Sequence, residues 1–151
     1  MAAAAEKLAS DYAGWNGSAA PDELDLCSVY KGEDGLSDAR IRVGLDDGKF
    51  IDSDDHAPTL HPYAMGRKAL AGARRSYLHF ECVSPRMDGS DKKPALIRGE
   101  MFNRNVPEEG SVALREASLV ALHSAALALA KELGCKDNGS LAEKATLKPV
   151  A

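Results

Sequence analysis

Three groups of residues in this chain have the types and spacings that chemistry uses. Asp52, Asp54, Asp55, His56 and His61 fall within ten residues and offer carboxylate oxygen and imidazole nitrogen, a donor set that divalent cations accept. Their order fits neither the frame of a calcium-binding EF-hand loop nor an H-E-x-x-H zinc helix. A solvated acidic loop is therefore the favoured reading, with Asp52, Asp54, His56 and His61 as the weaker metal candidates and no cofactor assigned. Cys27 and the four histidines supply a thiol and bases for nucleophilic catalysis, but no G-x-S-x-G elbow orders them, and spacing alone brings none of them together. Arg67, Lys68, Arg74 and Arg75 place four cations in nine residues between Tyr63 and Tyr77, a set that suits an anionic partner or solvates one face of a short helix. Neither a G-x-G-x-x-G turn nor a Walker A frame is present, which argues against nucleotide binding.

The cysteines form a fourth group. Cys27, Cys82 and Cys135 contain no C-x-x-C pair, which excludes a zinc ribbon and a thioredoxin-type centre. If a C-terminal helix lies antiparallel across a sheet, its end places Cys135 near the strand that carries Cys82, and a disulfide there closes a loop of roughly 50 residues. Two ordinary buried thiols fit the same positions, since free cysteine behaves as a small hydrophobe. Both readings stand at this stage.

Elements must position these groups, and composition bounds them. The chain has 151 residues, 44% of them hydrophobic and 28% charged, enough for one compact domain. Alanine fills 25 positions and aromatics only 5%, so the core must be built from Leu, Val, Ile and a few rings. Nineteen basic against twenty-three acidic residues give a net charge of −4, which supplies no general field for nucleic acid. The most apolar stretch, 117–130, is interrupted by His123 and Ser124 and falls short of the roughly 20 residues of a membrane span. Residues 1–10 hold five alanines but no basic region followed by a leucine-rich one, so no signal peptide is read there.

Residues 1–25 read as a flexible arm, 26–135 as one domain and 136–151 as a polar tail. Alternation over 39–45, followed by Asp46, Asp47 and Gly48, predicts a β-hairpin that returns through 49–51. Residues 63–75 have the composition of a short helix. Strands are predicted over 76–84, with Leu78, Phe80 and Cys82 on the core side, and over 95–103, paired antiparallel across a short loop. The loop 86–93 reads as a mobile tip open to a partner. Residues 112–133 form the best helix, with Ser111 as N-cap and Gly134 as stop. Its main stripe is Leu114, Leu119, Leu122, Ala125, Ala126, Leu129 and Leu133; Val120 and Leu127 make a second strip, and His123 between them reads as a satisfied, partly buried group. The expected fold is α+β, an antiparallel sheet of about four strands packed against one long C-terminal helix.

The run Phe80, Glu81, Cys82, Val83, Ser84, Pro85 and Arg86, the strand at 95–100 and the helix end Ala130, Lys131, Glu132, Leu133, Gly134 and Cys135 resemble a pattern in uncharacterised extracytoplasmic proteins of actinobacteria. The resemblance spans residues 76–135 and implies an exported domain, secreted or anchored, that carries a disulfide; it implies no activity. The leading expectation is a non-enzymatic extracytoplasmic domain that binds a protein or cell-envelope ligand. A cytosolic protein that self-associates through the second strip of the helix, or serves as a subunit of a larger complex, is the alternative. A small hydrolase using His61, His79 or Cys27 is the third.

Overall fold

The computed structural model describes residues 1–17, 19–30, 38–107 and 110–150. In chain order the elements are α1 (Ala2–Gly14), β1 (Leu24–Val29), β2 (Ala39–Leu45), β3 (His61–Tyr63), β4 (Lys68–Ala71), β5 (Arg75–Cys82), β6 (Ala95–Asn103) and α2 (Val112–Leu133). The strands form one antiparallel sheet of six, in the order β1-β2-β6-β5-β4-β3. The class is the expected α+β, but the sheet has six strands rather than about four.

The extra strands come from segments whose composition misleads. Residues 63–75 are not a helix: β3 and β4 lie there and pair with each other and with β5. Gly66 and Gly72 break the helical run, and burying Ala69 and Ala71 beside Leu78 and Ser76 outweighs the helix propensity of Ala, Leu and Lys. The hairpin expected after β2 fails in its second half. Asp46 Oδ1 accepts from the Gly48 N–H (2.7 Å) and forms the turn, but Phe50 is 79% exposed and β2 instead takes β6 and β1 as its neighbours. Cys27, placed by its acidic surroundings in a loop, stands exposed on the edge strand β1.

The core lies between the sheet and α2. From β5 come Leu78, Phe80 and Cys82, from β6 Ala95 and Ile97, and from β2 Ile41, Val43 and Leu45, all buried. Facing them are Leu119, Leu122, Ala126, Leu129, Ala130 and Leu133 of α2. By length and composition this helix could cross a bilayer, yet nine of its residues are buried in the fold. Leu114, expected in the apolar stripe, is 45% exposed, whereas Leu127 of the second strip is buried. Gly99 on β6 lets the helix come close: a Cβ there would lie 3.0 Å from Leu122 Cδ1.

The helix is fixed at both ends. Ser111 Oγ accepts from the Leu114 N–H (3.2 Å), and Gly134 ends it in the left-handed conformation, as expected. Cys135 then bonds to Cys82, 53 residues earlier. In the chain-entropy account a loop of this size stabilises the fold by about 4 kcal/mol. Beneath the same end, Ser84 Oγ donates to the Leu133 carbonyl (2.5 Å), and Ser84 and Ser90 bond reciprocally. With Met87 and Ser90 buried, the 86–93 loop is anchored to the core rather than a free tip.

Both segments read as arms carry packed structure. Ala5 and Leu8 of α1 are buried, and α1 packs on α2 and β2. After Cys135, Asp137, Asn138, Gly139 and Ser140 take successive positive φ angles of 52°, 53°, 66° and 62°. Gly139 is the tight point, since a Cβ would meet Phe80 Cδ2 at 2.6 Å. The tail then returns along β3, where Ala64 N–H donates to Lys148 O (2.9 Å) and Val150 N–H to Pro62 O (3.0 Å). Gly99→Val should cost about 1–3 kcal/mol by pushing Leu122 away from the sheet; a urea midpoint equal to the wild type would contradict that packing.

Candidate functional site

Because side chains alternate along a strand, the residues between the core positions all emerge on the face opposite α2. These are Arg40 and Arg42 on β2, Arg98, Glu100 and Phe102 on β6, Arg75, Tyr77 and His79 on β5, and Lys68 and Leu70 on β4. Register sets them in rows across the sheet: Arg75 beside Phe102 and Arg40, Tyr77 beside Glu100 and Arg42, and His79 beside Arg98 and Gly44. Arg75 Nη1 donates to Glu100 (2.9 Å), and Arg42 Nε lies 3.2 Å from Asp25 and 3.8 Å from Glu23, which also pairs with Arg98. Exposed pairs of this kind contribute about 0–1 kcal/mol each, so they orient side chains more than they hold the fold.

At one end of this face, residues 46–55 and strands β4 and β5 border an open cavity of about 390 Å³. Leu45, Phe50, Leu70 and Tyr77 form apolar walls, and Asp46, Lys68, His79 and Arg98 give polar points. Lys68 Nζ donates to the Ser53 carbonyl (2.5 Å), tying the covering segment to β4. His79 Nε2 lies 3.2 Å from Asp46 Oδ2, while Nδ1 is buried with no partner. Burial lowers the pKa of this imidazole, against the pull of Asp46 and with the support of Arg98 and Lys68. One ring nitrogen thus faces Asp46, itself a cavity residue, while the other is buried without a partner.

No known protein family, curated protein or solved structure matches this chain. The site stands on its own geometry.

That geometry disperses most of the residues singled out from the sequence. Arg67 and Lys68 sit at the start of β4, Arg74 and Arg75 at its far end, so the four cations make no single patch. Each is occupied: Arg67 with Asp52 (2.6 Å) and Glu81 (3.5 Å), Lys68 with Ser53, Arg74 Nε with the Val106 carbonyl (3.0 Å), Arg75 with Glu100. Their two tyrosines part as well. Tyr63 is buried, donating to Glu116 (3.0 Å), and Tyr77 lines the cavity on the other face.

The metal candidates do not assemble. Asp52 is taken by Arg67, Asp54 is exposed, His56 Nδ1 meets the Ala57 carbonyl (3.1 Å) and His61 lies on β3, two strands from His79; among the described residues no three His, Cys, Asp or Glu side chains converge. Cys27 and His79 are separated by β2 and β6, roughly 14 Å at about 4.8 Å per strand, which leaves that thiol and that base apart. His123 is more enclosed than expected: it is 2% exposed, Nε2 has no partner, and burial lowers its pKa against a hydrogen bond to the Ala142 backbone.

The arginines of β2 and β6 do not stand out in the sequence because they are spread along the chain rather than clustered. The signal was present as period two: Arg40 and Arg42 bracket Ile41, and Arg98, Glu100 and Phe102 alternate with core-side Ile97 and Gly99.

Because the folded imidazole of His79 sits below the ordinary value of about 6.5, the unfolded chain binds more protons as pH falls through that value. Its contribution to stability is therefore present above about pH 6.5 and is lost as pH drops toward the folded pKa. Urea midpoints of the wild type and His79→Gln should converge from the wild-type side as pH falls from 7.5 to 5; a widening gap in favour of the wild type would mean that Asp46 raises the pKa instead.

Proposed function

We propose that this chain is an exported, non-enzymatic binding domain whose ligand surface is the helix-free face of the sheet. The observation that carries this reading is the asymmetry of the two faces. One is filled by α2 and its buried leucines, while the other bears a cavity with apolar walls, an aromatic ring that is 79% exposed, and rows of arginines and carboxylates. Binding sites combine such apolar walls with a few polar groups that fix orientation.

The bond between Cys82 and Cys135 supports an exported compartment, because structural disulfides persist where the surroundings are oxidising. The partner class, a protein or cell-envelope ligand, extends the resemblance of residues 76–135 to exported actinobacterial domains. A hydrolase fits less well, since Cys27 lies on β1, three strands from His79, and the unpartnered Nδ1 of His79 is buried.

Screening the isotopically labelled domain by NMR against a fragment set and soluble envelope glycans should shift resonances of Leu70, Tyr77, His79 and Arg98 together. Perturbations confined to the outer side of α2, around Val120, would contradict the assignment of the surface.

A further inference from the structure

The end of the helix-free face away from the cavity contains a charge arrangement that the ion pairs leave incomplete. Arg40 and Arg75 approach the same ring, their guanidinium carbons 5.5 Å and 4.7 Å from the Phe102 centroid. Such stacking holds a planar guanidinium in place and lowers the entropy lost when it forms hydrogen bonds. Arg75 already has Glu100 at 2.9 Å, and the neighbouring Arg42 has Asp25 and Glu23. Arg40 has no carboxylate partner among the described residues; its Nε is buried without an acceptor, which leaves the two Nη groups to meet one from outside. Arg40, Arg75 and Glu100 together carry one positive charge in excess, in a chain whose net charge is −4. The excess is local, so recognition here depends on the guanidinium fork rather than on a long-range field.

We propose that Arg40, Arg75 and Phe102 form a subsite for one oxyanion group, a carboxylate or a phosphate, on the ligand that this face binds; the proposal rests on the reading of the helix-free face as the binding surface. The oxyanion accepts from Arg40 Nη, with Arg75, over the same ring, adding charge. Glu100 keeps Arg75 aligned and limits the site to a single anionic group.

The test titrates the labelled domain with sodium acetate and, separately, with methyl phosphate, at constant ionic strength with chloride as the reference anion. Saturable shifts at the Arg40 and Arg75 guanidinium resonances and the Phe102 ring are expected with at least one of the two, and which one responds identifies the source of the oxyanion. Arg40→Gln should weaken that binding about tenfold or more, as expected for loss of hydrogen bonds to a charged group. Arg40→Lys, which keeps the charge and loses the fork, should fall between. An unchanged backbone spectrum in both variants separates loss of the site from loss of the fold. Equal shifts with chloride, or binding unaltered in Arg40→Gln, would overturn the subsite. A ligand that occupies the Tyr77 and His79 cavity with undiminished affinity in Arg40→Gln would do so while leaving the binding-domain reading intact.

Discussion

Everything displayed on the free face depends on the seating of α2 on the other. Leu119, Leu122, Leu129 and Leu133 meet Leu78, Phe80 and Ile97 in a seam from which water is excluded, and all seven are essentially fully buried. A buried side chain of this size contributes about 1.5–3 kcal/mol, against about 0–1 kcal/mol for one of the exposed ion pairs across the sheet. The seam therefore sets which way every strand residue points. A slip of one residue in β5 would send Tyr77 and His79 into the core and Phe80 into solvent.

The disulfide bears on the seam where it would otherwise be weakest. The sheet-side core leans on alanine at 69, 71 and 95, and the C-terminal end of α2 lies over a loop rather than a strand. Cys82 to Cys135, Ser84 to the Leu133 carbonyl, and the left-handed turn against Phe80 close that end with one covalent and several polar contacts. The tail running back along β3 covers one edge of the sheet, while β1 remains the other edge, with Asp25 and an irregular register of the kind that discourages further strand pairing.

How far the sequence could be read follows from which forces were local. The helix at 112–133 was legible because its caps, length and composition agree, and β5 and β6 because alternation is clean over the eight residues of β5 and the first six of β6. The short strands β3 and β4 were not, because three or four residues carry too little periodicity and their pairing is decided by neighbours far along the chain. The geometric condition for joining Cys82 and Cys135 was readable; the alternative of two free thiols could be set aside only with the helix laid on the sheet. On the site, His79 is legible without its neighbours. Asp46 comes from the turn after β2 and Arg98 from β6, so the grouping exists only once register is fixed. Clustering in sequence pointed instead to Arg67, Lys68, Arg74 and Arg75, which the strand geometry sends to opposite ends of β4.

The covalent tie between β5 and the end of α2 bears both on the stability of the fold and on the proposal of an exported domain, so its state in the living cell is the most direct question to ask. The protein should be taken from its native host without reductant, denatured in the presence of an alkylating agent and mapped by mass spectrometry. One alkylated cysteine, Cys27, with Cys82 and Cys135 recovered as a linked peptide pair, is the predicted result. Alkylation of all three would contradict the account of an exported, disulfide-closed domain.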